Sequence, residues 1–481
     1  MFFESLYPDI LERRILYYLK GRDLFNLSLL NKQMYHRFIA IRLLIQLKIK
    51  PEDVWPTLVF DFEHCDLDLS ILKQLNYRFP MIKVNSLLFP EIAQYLPPYK
   101  ELKVNVLDQV CFKELSQLFK SDLVTQLHIP LLPGLNETDL YYIICNMEYM
   151  TRLKKLVYQS QFDSEIAMIL QEFVSKSQIN EIILSKTFLD HEQLHLLTCL
   201  QNIEKIDLSY NPIFNEGIDS LSFILQGRVK SLILDGIEIG GSDISIFAQA
   251  LKHSKLQKLS MMEIDLQEHV VEIFNVLPYT NIQEFHYGYP TKAAIITLVE
   301  NIDKTRLKSL SLPINIEYLE KLLEKQKLDS LTIATDGNKA CEIISNQIKY
   351  FKLNSFSMPF SQVSTGFQLL FPSISETVLS ELDLSFNPIG DLSILEHYLP
   401  KTRLTKLKLN GCEIGDDGLK QLCRAIRKSK VKELHVHSNY FTENGIISLL
   451  YLDLRYLNVS NMGIDGKFID RIKKSSLEVI Y

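Results

Sequence analysis

The side chains of this 481-residue chain that could do bond chemistry are few and poorly grouped. His435 and His437 stand two apart in Val431-Lys-Glu-Leu434-His-Val436-His-Ser-Asn439, so on an extended strand both project from one face. A zinc ion there needs further ligands that the flanking sequence does not place. Cys423 lies in Leu419-Lys-Gln-Leu422-Cys423-Arg-Ala-Ile426, whose apolar spacing of three and four makes it a helix core residue rather than a nucleophile. The sequence contains no G-x-x-x-x-G-K-[ST] and no G-x-S-x-G, and it carries one H-E-x-x-H, His191-Glu-Gln-Leu-His195. The expectation is a non-catalytic protein with no cofactor and no metal.

The seven cysteines (Cys65, Cys111, Cys145, Cys199, Cys341, Cys412 and Cys423) are odd in number, scattered, and include no C-x-x-C pair. That pattern disfavours a disulfide framework and fits a reducing compartment, cytoplasmic or nuclear. No apolar run of about 18 residues occurs, so no membrane span is expected. The first residues, Met1-Phe-Phe-Glu-Ser-Leu-Tyr-Pro-Asp, lack a basic head, which argues against a secretory signal. Net charge is −6, unevenly spread: residues 1–50 hold nine Lys/Arg against four Asp/Glu. A basic head before an acidic remainder argues against nucleic acid as the ligand of that remainder and points the head toward an acidic partner.

The elements that position these side chains are repeats. Ile203-Glu-Lys-Ile206-Asp-Leu208-Ser-Tyr-Asn211 reads L-x-x-L-x-L-x-x-N. The pattern returns at Leu379-Ser-Glu-Leu382-Asp-Leu384-Ser-Phe-Asn387 and at Val431–Asn439. Strand-like starts recur from Phe79 to Leu477 at a mean spacing of about 25 residues. Each period continues with a helical half, as in residues 416–426, where Asp416 or Asp417 is placed to cap the start. Cys412 falls where other repeats carry Asn, a buried ladder position. One start is placed at Ile348, which leaves an excess near Ser355-Phe-Ser-Met-Pro359-Phe-Ser-Gln-Val-Ser-Thr-Gly366 that reads as a loop protruding from the edge.

These units resemble leucine-rich repeats of the ribonuclease-inhibitor type. The resemblance implies an α/β solenoid, a horseshoe with a parallel sheet on the concave face and helices on the convex face. It spans residues 79–481 in about 16–17 units. Residues 51–78 are a connecting segment or a degenerate first repeat around Trp55-Pro-Thr-Leu58-Val-Phe60. The outward strand positions then offer a mixed-charge surface suited to a protein target: Lys205, Asp207, Ser209, Asp235, Glu284, His286, Tyr289, Lys352, Asp383, Lys406, Lys408, Asn410, His435 and His437. A few of these at most would carry the binding energy.

Residues 1–50 break the repeat. Pro8 opens and Gly21 closes a helix with Leu11, Ile15 and Leu19 on one face. Asp23 and Asn31 cap two further short amphipathic helices, making a small helical bundle. The string Leu6-Tyr-Pro8-Asp-Ile-Leu11-x-x-x-Ile15 through Leu19, Asp23, Leu24 and Leu27-Ser28-Leu29 to Tyr35 resembles the F-box, departing from it where Ile10 replaces the usual Glu. The resemblance implies a substrate-recognition subunit of an SCF-type cullin-RING ubiquitin ligase. Leu6, Pro8, Leu11, Ile15, Leu24 and Leu27 would face a Skp-type adaptor, and through it a cullin, while the repeats hold a target protein. The alternative is a non-catalytic scaffold or inhibitor whose head only caps the solenoid. In either case the same architecture fits a bacterial effector acting in host cytosol. The L-x-L-S-x-N units also resemble the Ran GTPase-activating protein, without its acidic tail.

Overall fold

The computed structural model describes the strands Thr57–Phe60, Phe79–Asn85, Tyr99–Asn105 and Val124–Ile129, residues 152–461 apart from 242 and 351, and the strand Glu478–Ile480. The helical head expected over residues 1–50, with its six adaptor-facing residues, lies outside the described residues, as do Cys65, Cys111 and Cys145. The chain divides into two compact units, Met1–Ile213 with Gly227–Val229, and Phe214–Gln226 with Lys230–Tyr481.

The first unit holds β1 (Thr57–Phe60), β2 (Phe79–Asn85), β3 (Tyr99–Asn105), β4 (Val124–Ile129), β5 (Lys155–Tyr158), β6 (Glu181–Ile183) and β7 (Lys205–Asp207). Each pairs with the next in parallel, so Thr57–Phe60 joins the sheet as a strand beside β2. The second unit holds β8 (Ser231–Ile233), β9 (Lys258–Met261), β10 (Glu284–Tyr287), β11 (Ser309–Pro313), β12 (Ser330–Ala334), β13 (Ser355–Ser357), β14 (Glu381–Asp383), β15 (Lys406–Lys408), β16 (Glu433–His435), β17 (Tyr456–Asn458) and β18 (Glu478–Ile480). These too pair in parallel and in chain order.

Alternation decides which side of each strand is buried. In β15, Leu407 is fully buried between half-buried Lys406 and Lys408. Leu382, Leu407, Leu434 and Leu457 share one register and stack across four repeats. A helix packs behind most strands. Asp416–Arg427 turns Leu419, Leu422, Cys423 and Ile426 inward, with carboxylates in its first turn and Arg424 and Arg427 in its last, as a helix dipole favours. Its N-cap is Gly415, not Asp416 or Asp417. Asp416 instead accepts the Thr442 amide at 2.9 Å and so ties its own turn to the following repeat.

The expected protruding loop is absent. Ile348 is not a strand start but closes the helix Gly337–Gln347. The repeat begins at buried Leu353, Ser355–Ser357 is β13, and Phe360–Val363 is its turn before the helix Phe367–Ile374. The spacing across this region is therefore regular, and Lys352 belongs to the connection preceding β13.

Two sets of hydrogen bonds hold successive coils in register. At the strand start, one carbonyl accepts two amides of the next coil: Lys308 from Asp329 (2.7 Å) and Ser330 (3.0 Å), Thr405 from Lys432 (2.8 Å) and Glu433 (3.0 Å). Past the strand end, a buried side chain bridges coils. Asn387, fully buried, accepts the amides of Ser361 (3.0 Å) and Val363 (2.9 Å) and donates to the carbonyls of Met358 (2.9 Å) and Leu384 (2.8 Å). Asn439 treats Cys412, Ile414, Leu409 and Val436 in the same way, and in the first unit Asn211 does so for Thr187, Leu189, Leu184 and Leu208. Cys412 fills its ladder position as expected, fully buried, with Sγ donating to the Leu384 carbonyl at 3.2 Å.

Replacing Asn387 with Ala leaves the Ser361 and Val363 amides and the Met358 carbonyl buried without partners, while the Leu384 carbonyl keeps the Cys412 thiol. We expect Asn387→Ala to lose about 3 kcal/mol in urea denaturation, since each orphaned buried group costs about 1–3 kcal/mol. A loss below about 0.5 kcal/mol, the size of an ordinary surface substitution, would show that the ladder does not carry the register.

Candidate functional site

The strand positions opposite the buried leucines form the candidate binding surface. In the first unit, Lys205 is exposed and reaches Glu181 at 3.6 Å, and Lys155 pairs with the same carboxylate. Asp207 turns back on its own chain, its Oδ1 accepting the Ser209 amide (3.0 Å) and hydroxyl (2.6 Å). Ser209, expected to face a target, is 4% exposed. The alternation that would place it outward stops at the strand end, where Tyr210 takes a left-handed conformation (φ 58°) and bends the chain.

The second unit repeats this device. Asp383 accepts the Ser385 amide at 3.0 Å and pairs with Lys408 at 3.1 Å. Asn410, also expected outward, is buried: Nδ2 donates to Ser385 Oγ (3.1 Å) and Oδ1 accepts the His437 amide (3.2 Å). Gly411 after it has φ 56°, and an added Cβ would lie 2.6 Å from the Phe386 ring, so glycine satisfies both the turn and the close approach. Asp235 is spent on Ser260 Oγ (2.7 Å) and the Met262 amide (2.8 Å). Asp207, Ser209, Asp235 and Asn410 thus shape turns, and the residues left facing outward on the strands or just beyond them are Lys205, Glu284, His286, Tyr289, Asp383, Lys406, Lys408, His435 and His437.

Their charges are largely paired across strands: Lys258 with Glu284 and Lys406 with Glu433, both at 3.1 Å. Such half-exposed pairs add little stability, but they set the field at the histidines. Burial, then the cations of Lys408 and Lys406, push the His435 imidazole down to about 4. Burial, then Lys258, lowers His286, and burial lowers His437. All three are neutral at neutral pH. His437 bonds Ser438 Oγ at 2.9 Å and meets the edge of Phe386, which stacks on exposed Phe360 at 4.4 Å.

Between these charged strands lies a feature that charge-seeking sequence reasoning passed over. The outward residues of β11, β12 and β13 include Ser309, Ser311, Ser330, Thr332, Ser355 and Ser357, a floor of uncharged hydroxyls. It is bordered by Glu284 and His286 on one side and by Glu381 and Asp383 on the other. At the ends of β10–β12 the connections to the following helices shrink to Gly288–Thr291, Ile314–Asn315 and Thr335–Asp336. The gap they leave is a cleft of about 730 Å³ lined by Tyr289, Pro290, Pro313, Ile314, Glu317 and Asp336 among others. Tyr289 is 53% exposed at its mouth. The signal available in sequence was the short period from Leu307 to Leu328 together with the run of serines at outward positions.

A low hydroxyl floor between charged walls suits an extended polypeptide, whose amides and carbonyls the serines can bond. Among the described residues no group of three His, Cys, Asp or Glu side chains could hold a metal. Cys199, Cys341, Cys412 and Cys423 are buried with thiols pushed up to about 12, 12, 12 and 11, which leaves them protonated and unreactive.

A histidine-resolved NMR titration should find His435 titrating near pH 4, and Lys408→Met should move its midpoint upward. A midpoint at the ordinary 6.5 would contradict the assigned field. Between about 6.5 and 4 the unfolded chain binds a proton that folded His435 refuses. Its contribution to stability is therefore lost as pH falls through that window.

Three segments, residues 199–222, 376–394 and 402–423, match the leucine-rich repeat family. A stretch of 76 residues is 40% identical to the ribonuclease inhibitor of Mus musculus, covering 15% of this chain and spanning only 17% of that protein. Among solved structures the chain is similar to the Rad7 and Elc1 complex in yeast (TM-score 0.42, 16% identity, 77% of this chain and 83% of that chain). It is also similar to an internalin, inlF, from Listeria monocytogenes (TM-score 0.33, 18% identity, 74% and 89%). A third likeness is to the TLR13–ssRNA13 complex (TM-score 0.35, 14% identity, 76% and 63%). Residues 199–222, 376–394 and 402–423 thus carry leucine-rich repeats, and the stacked parallel strands, backing helices and buried asparagines of the described residues form a leucine-rich-repeat fold.

Proposed function

We propose that the protein is a substrate-recognition subunit of an SCF-type cullin-RING ubiquitin ligase. Residues 1–50 dock a Skp-type adaptor through Leu6, Pro8, Leu11, Ile15, Leu24 and Leu27, and the repeats hold a target protein. The observation that carries this reading is the F-box-like spacing from Leu11 through Asp23-Leu24 to Leu27-Ser28-Leu29, set directly before the repeats. The hydroxyl floor and cleft of β10–β13 support the second half, since they offer an extended segment hydrogen bonds and an aromatic anchor in Tyr289. The protein does no bond chemistry of its own in this reading. It raises the effective concentration of target lysines at a conjugating enzyme. The work is done in cytosol or nucleus, or in host cytosol for a bacterial effector.

A second reading, a scaffold or inhibitor without an adaptor, is supported by the 76-residue likeness to a ribonuclease inhibitor. The two part on one experiment. Purified full-length protein should capture a Skp-type adaptor, and Leu11→Asp with Leu24→Asp should abolish capture while leaving the melting temperature of the repeats unchanged. No capture at about micromolar concentration, or a doubly substituted chain that loses repeat stability instead, favours the second reading.

A further inference from the structure

The two edges of the second unit carry opposite charge. Every strand there runs in the same direction, so every helix-to-strand connection emerges on one edge of the sheet and every strand-to-helix connection on the other. On the first edge, the nine segments entering β9 through β17 (252–257, 277–283, 302–308, 325–329, 348–354, 375–380, 399–405, 427–432 and 451–455) hold sixteen Lys/Arg and four Asp/Glu. On the other, the segments leaving β8 through β16 hold nine Asp/Glu and no Lys or Arg. Helix dipoles favour cations at C-termini and carboxylates at N-termini, which explains the sign of each edge. They do not explain the excess, because most of these cations lie beyond the last helical turn. Among the described residues, Lys432 is the one member of the basic set that pairs with a carboxylate, Asp453.

Three tyrosines stand among the cations. Tyr279, Tyr350 and Tyr451 are 68%, 74% and 79% exposed, and Lys252 and Lys349 lie over the first two rings at 5.2 and 5.3 Å. The double amide-to-carbonyl bonds at each strand start hold these connections in one row, spaced about 4.8 Å apart on the strand side. This edge is a rim and not a groove. A single nucleic-acid strand is gripped by grooves, whereas a level row of Lys and Arg with tyrosine hydroxyls between them suits a plane of anionic headgroups. The carboxylate edge opposite would be repelled by the same plane, so the unit would bind in one orientation.

We infer that the basic edge of the second unit is a peripheral docking surface for anionic lipid bilayers. The attachment rests on the charges of this edge and is electrostatic and reversible. The test uses the full chain and co-sedimentation with vesicles of phosphatidylcholine alone or with about one third phosphatidylserine. We expect binding to the anionic vesicles only. Arg427→Gln with Lys428→Gln and Lys430→Gln should weaken it about a hundred-fold. Lys308→Gln with Lys349→Gln and Lys352→Gln should weaken it comparably at separate repeats, and Glu376→Lys should strengthen it. The melting temperature of each variant serves as the folding control. Absence of vesicle binding, equal binding to neutral vesicles, or indifference to both triple substitutions overturns the inference. Binding of single-stranded RNA through the same residues without vesicle binding also overturns it, and assigns the edge to nucleic acid.

Discussion

A buried side-chain amide that satisfies two backbone amides and two carbonyls at once is the constraint on which the repeats depend. Past each strand the chain must turn, and its polar groups enter the interior with no sheet partner. Burying such groups unpaired costs about 1–3 kcal/mol each. Asn211, Asn387 and Asn439 close that account inside the coil stack, and Thr187, Ser361 and Cys412 occupy the same station where the asparagine is missing. In β10 the station is altered again, and the hydroxyl of buried Tyr287 accepts the Leu266 amide at 3.3 Å. Because three of the four bonds of each asparagine reach the preceding coil and the fourth its own, the strand register follows from them, and with the register come the stacked leucines and the row of outward side chains.

The surfaces follow from the same geometry. Parallel strands aligned to the residue place like positions side by side, so one substitution pattern becomes a stripe. Serines at outward positions of three consecutive strands make the hydroxyl floor, and three short connections beside it make the cleft. Lysines and arginines before successive strands make a basic edge. Left-handed residues just before the ladder positions hold Tyr210, Phe360 and Phe386 outward, where the last two stack.

What could be read from sequence tracks how strongly each repeat obeys the pattern. Leu404, Leu407 and Leu409 leave no ambiguity, and all are fully buried. Ile348 misleads because the apolar spacing of the preceding helix runs into it, while the true strand carries Phe356 and Met358 where leucines are usual and Ser361 where asparagine is. Ser209 and Asn410 mislead for another reason. Period-two alternation holds only while the backbone is extended, and Tyr210 and Gly411 end that extension with positive φ. The carboxylates of Asp207 and Asp383 look like recognition groups in sequence but first serve the turn. The hydroxyl floor escaped notice because serine and threonine carry no charge to mark them.

Native-state hydrogen exchange in the unmodified protein reads out whether the asparagine ladder holds the coils together. The amides of Ser361, Val363, Cys412 and Ile414 lie outside the strands yet are bonded to the buried oxygens of Asn387 and Asn439. They should exchange as slowly as the amides of neighbouring strand residues such as Leu382 and Leu407. Exchange at the rate of an open loop would contradict the claim that this ladder fixes the stacking of the coils.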